Sequence, residues 1–280
     1  QLIGLSTTQA AALTSAQVAV IAAADLAVME TADIEALSTS VIANLTTEQI
    51  AALTTDQLMG LSTTQAAVLT TKQVAVIDAA DLAAMETADL VSVTTAQLVA
   101  LTTAQMVALT TDQVSKGLTT SQVAAMTTAG VTAVTTAGIA ALTTDQVSSM
   151  SSEQLRGLAA TQVASLGTDQ IVALGSDQVS AVTSAGIASL STVQLQAIET
   201  DDLAGLTAAQ VRALTTLQVK SLSTDQLDAL NTEQLVGFSS LQISVLTTSQ
   251  VAEINVAYLP SLASSQVAGL GSAQVRNLTT

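Results

Sequence analysis

A large apolar residue stands at every eighth position from Leu5 to Leu109, and again from Leu118 to Leu278, with one extra residue between the two runs. All 35 positions of that series are Leu, Ile, Met, Val or Phe. A strict short period marks a repeat architecture, in which no single unit can bury its own apolar face and each stacks on its neighbours. Numbered from the large apolar residue, the octad reads Leu-Thr-Thr-x-Gln-Val-x-x, as in residues 45–52 (LTTEQIAA), 101–108 (LTTAQMVA) and 214–221 (LTTLQVKS). Position six is Val, Ile, Leu or Met except at Ala10 and Ala66, and position five is Gln in 24 of 34 octads.

The spacing selects one backbone. In a strand, residues five apart face opposite sides, so the two apolar positions of the octad have no common face. In a continuous α-helix, eight residues overshoot two turns by about 80°, and the apolar row spirals around the helix. A Thr pair in every octad weakens a long helix further. Thr or Ser at position two followed by Gln at position five is instead the capping box that starts a helix: the hydroxyl accepts from the backbone three residues on, and the Gln reaches back to the cap N–H. Apolar positions one and six flank that cap as a hydrophobic staple. The octad therefore predicts one short capped helix plus a turn. A lone helical turn is unstable in water because nucleation is costly, so the units must stack into an all-α solenoid of octapeptide repeats, read here as one continuous array over 1–280.

Composition narrows the function. One Phe, one Tyr and no Trp leave the core to aliphatic residues, which make up most of the 49% hydrophobic content. The net charge is -16, with Lys72, Lys116, Arg156, Arg212, Lys220 and Arg276 scattered along the chain. Nucleic-acid binding needs a clustered basic face, and an anionic membrane surface repels this charge, so neither is expected as a partner. Polar residues interrupt every octad, and no run reaches the length of a membrane span. Without His or Cys, imidazole triads and thiolate metal sites are excluded. No Gly-rich phosphate loop is present, and the Asp201–Asp202 pair is expected to cap a helix in solvent. Repeats place the same residues everywhere, whereas a catalytic centre needs a unique constellation. The expectation is a non-enzyme with no catalytic, metal or cofactor residues.

Departures from the pattern are few. Asp25, Asp33, Asp81, Asp89 and Asp202 replace Gln at position five, in the first helical turn where the helix dipole favours an anion. A calcium reading of these oxygen ligands competes with the cap reading, but no Asp-x-Asp-x-Asp-Gly loop accompanies them. Gly130, Gly138 and Gly186 lose a cap partner there and are expected to be soft points. The extra residue falls at 114–118, where Gly117 is expected to take the left-handed conformation that ends a helix. Residues 254–261 hold the single Pro, Pro260, and the single Tyr, Tyr258, and are expected to deviate in shape. A longer period is also present: residues 5–36 recur nearly verbatim at 61–92, an offset of 56 or seven octads. Both ends of the chain cut through an octad, which is expected of a segment from a longer array.

The phrase Leu142-Thr143-Thr144-Asp145-Gln146-Val147 resembles the opening helix of TAL-effector DNA-binding repeats. The match stops at that helix and lacks the roughly 34-residue period, the proline and the basic balance, so DNA binding is not carried over. Over all 280 residues the chain is similar in composition and repeat style to Thr/Ala/Gln-rich arrays of very large secreted bacterial surface proteins of the adhesin or hemagglutinin-like class. That resemblance implies an extracellular or cell-surface location and a structural role.

The expected function is a filament, stalk or matrix fibre whose partner is itself, by head-to-tail or lateral assembly or as a longer array of the same repeats. Open, equivalent solenoid ends allow such stacking. The alternative is an adhesin-type solenoid that recognises a protein or glycan, for which the breaks at 114–118 and 254–261 are the candidate features. Ice or crystal binding through the regular Thr rows is a third class, discriminated by a thermal hysteresis assay.

Overall fold

A computed structural model describes residues 4–252, 254 and 260–278. These residues form 32 α-helices of four to six residues each and one π-helical turn, with no strand among them. The fold is the all-α solenoid of capped octads that the period requires.

Each helix begins where the capping box places it. In the octad starting at Leu53, Thr54 is extended (φ -74, ψ 160), its hydroxyl accepts from the Gln57 N–H at 3.3 Å, and the Thr54 N–H donates to Gln57 Oε1 at 2.9 Å. At Ala159, Gly167, Gly175, Ala263 and Gly271 the cap residue has no side-chain oxygen, and only the Gln half of the exchange remains. The helices end without glycine caps, since no described residue has a positive φ. Extended backbone at positions one and two turns the chain instead, as at Leu53 (φ -60, ψ 140). Positions one and six supply the core: Leu26, Ile34, Ile42, Ile50, Leu58 and their equivalents are almost fully buried.

The described chain divides into two compact units, Gln1–Leu142 and Thr143–Thr280. In each, a helix packs on the third helix along the chain, as Ala79–Ala84 does on Thr103–Ala108 and Ala208–Ala213 on Thr232–Gly237. Hydrogen bonds between successive coils join residues 25 to 32 apart, which sets the coil at about 28 residues, or three and a half octads. The 56-residue offset of the duplicated block equals two coils of 28 residues.

The extra residue is absorbed locally. Gln113–Gly117 is a π-helical turn, which accommodates one residue more than an α-turn. The coil-to-coil bonds lengthen by that one residue, from 28 and 31 before it to 29 and 32 at Gln122. Gly117 is not left-handed, contrary to expectation. Glycine suits the close approach there, since a Cβ would lie 3.2 Å from Leu90 Cβ, a tight contact. Pro260 lies in a short 3₁₀ turn; Tyr258 and most of 254–261 lie outside the described residues.

Candidate functional site

The feature that unites the chain is a ladder of buried glutamines. Gln57 is 1% exposed, and its amide does two jobs. Oε1 accepts from its own cap N–H, while Nε2 donates to the carbonyls of Leu26 and Met29 on the preceding coil, both at 2.9 Å. Those acceptors are position six of one octad and position one of the next, at a helix C-terminus where carbonyls lack intrahelical partners. Both amide hydrogens are used. The same geometry recurs at Gln49, Gln73 and Gln105 in the first unit and at Gln218, Gln234 and Gln266 in the second. A position-five glutamine thus closes its own helix start and caps a helix end one coil away.

The family-model match follows the same octads. It covers residues 26–63, 82–120, 149–184, 195–231 and 224–256, more than half of the chain, as the ALTTAQ repeat. The chain belongs to the ALTTAQ repeat family. The six-letter signature stands unbroken at Ala100-Leu101-Thr102-Thr103-Ala104-Gln105. Its physical content is now explicit: Leu is core in most octads, though Leu101 itself is half-buried, the first Thr is the cap, and Gln is the rung between coils. No curated protein matches the chain. Among solved structures it is similar to the leucine-rich repeat-containing protein LegL7 from Legionella pneumophila, at 10% identity over 90% of this chain and 78% of that one, with a TM-score of 0.21. A superposition that loose carries no argument.

The aspartates that replace Gln in the ALTTAQ pattern do not gather. Among the described residues no three or more His, Cys, Asp or Glu side chains converge to hold a metal. Asp81 accepts from the Thr55 hydroxyl, and Asp202 accepts from the Ser176 hydroxyl at 2.8 Å. In both octads the coil-to-coil bond has reversed direction, with the hydroxyl of the earlier coil donating to the later one. The Asp201–Asp202 pair is split: Asp201 is exposed, but Asp202 is buried, not solvated as expected. Asp33 is buried with Oδ2 lacking a partner. Asp89 is buried too, and desolvation, aided by the Glu86 carboxylate, pushes its carboxyl above the ordinary range. In that octad the link passes to Ser92, whose single hydroxyl hydrogen is shared between the Asp89 carbonyl of its own helix at 2.6 Å and the Thr63 carbonyl 29 residues earlier at 3.1 Å.

The three glycine octads lose the amide in different ways. A Cβ at Gly138 or Gly186 would meet Val134 Cγ1 or Val182 Cγ1 at 2.6 and 2.7 Å, so valine occupies the space beside them. At Gly130 the nearest atom is Thr127 Oγ1 at 3.3 Å, and a cavity of about 70 Å³ opens between Gly130, Leu98, Leu101 and Met106. By register, Leu98 and Leu101 carry the carbonyls that a glutamine at 130 would reach. Of the expected soft points, this one leaves a space.

One surface feature escaped the reading of the repeat. Position four, elsewhere mostly small, polar or acidic, is Val193, Leu217 and Leu241 in three octads spaced 24 apart. A comparison of position four at every third octad would have found it.

Proposed function

We propose that the chain is a non-catalytic structural repeat protein, a filament, stalk or matrix fibre at the bacterial cell surface. The glutamine ladder is the observation that carries this reading. Within each unit, glutamine octads are tied to the preceding coil by the same pair of amide hydrogen bonds, a link that repeats as coils are added, as in other solenoids. The resemblance to large secreted surface arrays is the support for an exterior location. Electron microscopy of native material tests the proposal: fibres or stalks attached to cells are expected, and isolated monomers free of cells would overturn it. Immunogold labelling of intact cells tests the location, with surface label expected.

A second reading, an adhesin-type solenoid that recognises a protein or glycan partner, is favoured by the exposed Val193, Leu217 and Leu241, at a position elsewhere mostly small, polar or acidic. Adherence of particles coated with the chain to target surfaces reads this separately from fibre formation.

A further inference from the structure

Single exposed apolar residues need no explanation, but a contiguous row does. Helix Thr192–Ala197 packs on Thr216–Ser221, which packs on Ser240–Ser244. Val193, Leu217 and Leu241 occupy the same position in these three helices and are 61%, 68% and 65% exposed. They form an oblique apolar ridge across successive coils. A surface groove begins one helical turn away, at Gln196. Gln196, one turn beyond Val193, donates through Nε2 to the Ser221 carbonyl, one turn beyond Leu217, at 2.6 Å. That bond closes the helix pair at the edge of a groove of about 410 Å³ lined by Val172, Gln196, Glu199, Thr200, Ser223 and Asp225. Val172 is 46% exposed in it. Glu199 and Asp225 are exposed, and no cation is among the lining residues. Lys220 is the one cation on the three ridge helices.

We infer that this face docks a segment of a partner protein that carries large apolar side chains beside Lys or Arg. The apolar side chains cover the ridge. A basic side chain lays its aliphatic stem along Val172 and places its charged head between Glu199 and Asp225. The chain's net charge of -16 steers such a segment inward. This deepens the recognition reading by naming a partner class and a place, and it holds whether or not the array is a fibre.

The test uses the full chain and a synthetic helix that carries Leu and Lys side by side along one face, titrated by calorimetry at about 150 mM salt to screen remote charges. The wild-type chain is expected to bind this peptide and not its Leu/Glu or Ser/Lys counterparts. L217S/L241S and E199Q/D225N are each expected to weaken binding about tenfold or more, which is about 1.4 kcal/mol per factor of ten. D56N/D145N removes as much charge from exposed positions elsewhere, and V99S/V107S removes exposed valines elsewhere; both are expected to bind as wild type. Circular dichroism confirms that all variants fold. Equal binding by wild type and the ridge and groove variants would overturn the docking face while leaving recognition elsewhere on the chain intact. No binding by wild type would overturn the basic segment as partner, with adherence assays still reporting on recognition as such. Dimerisation that L217S/L241S abolishes, without peptide binding, would assign the ridge to a second copy instead.

Discussion

The octads around Gln57 and Asp89 share a backbone, a helix length within one residue and a buried position five, yet they hold their coils together differently. Gln57 donates two hydrogen bonds to the preceding coil and accepts one from its own helix start. Asp89 stands at the equivalent place, buried, with its carboxyl pushed up by desolvation and by Glu86, and the link between coils falls to the Ser92 hydroxyl. The cap has changed in step, from Thr54 to Glu86, which makes no side-chain cap bond. The difference teaches that packing of positions one and six sets the solenoid, while the amide at position five sets how firmly each coil is tied. The ladder is strong where it is complete because every buried polar atom of the amide is satisfied.

The largest expected effect breaks the complete side of that comparison. Gln57→Glu points a carboxylate at the Leu26 and Met29 carbonyls, leaving both acceptors and the charge uncompensated in a buried site. We expect a loss of about 3 kcal/mol or more in urea unfolding followed by circular dichroism, partly relieved on acidification. Asp89→Gln restores the donor and is expected to gain about 1–2 kcal/mol. The glycine octads sharpen the contrast further. Gly130→Gln fills the cavity, reaches the Leu98 and Leu101 carbonyls and improves helix propensity, for a gain of about 1 kcal/mol. Gly138→Gln meets Val134 Cγ1 where its own Cβ belongs, and is expected to yield about 1 kcal/mol less than the same change at 130. Thermal melts of the pair measure that gap.

The smallest effect is the pH dependence of the Asp89 octad. A carboxyl whose folded value is raised disfavours folding above that value, because the folded state then holds a charge it solvates poorly. As pH falls from neutral through the raised value, the penalty is lost, and it is gone below the ordinary range. Local stability around Asp89 therefore rises on mild acidification, and Asp89→Asn removes that rise. Hydrogen exchange of amides 87–92 at neutral and mildly acidic pH, wild type against variant, checks it.

What was legible in the chain was local. The capping box is a contact over three residues, so Thr54 and Gln57 disclose their helix start without any tertiary information. The apolar pair at positions one and six discloses the core for the same reason. The carbonyls that receive Gln57 were not legible. They lie 28 and 31 residues earlier, a separation fixed by the accumulated rotation of three and a half octads rather than by any residue. The slip at 114–118 was visible as an extra residue, but the π-helical turn that absorbs it was not, because the repeat pattern shows where a residue is added and not which backbone takes it up. The Asp201–Asp202 pair looked like solvated caps because the burial of Asp202 comes with the neighbouring coil, where it meets Ser176. Val193, Leu217 and Leu241 were hidden by reading the octads in sequence instead of every third one, the order in which the helices pack.

The account rests on glutamine side chains acting as rungs between coils, and side-chain amide hydrogen exchange tests that directly by NMR. Gln57, Gln105, Gln218 and Gln234 are buried, while Gln9 and Gln17 are exposed and serve as internal controls. The Nε2 hydrogens of the four buried glutamines are expected to exchange slowly, at rates set by opening of the coil, and those of Gln9 and Gln17 at the rate of a solvated amide. Exchange at one common fast rate for all six would contradict the ladder.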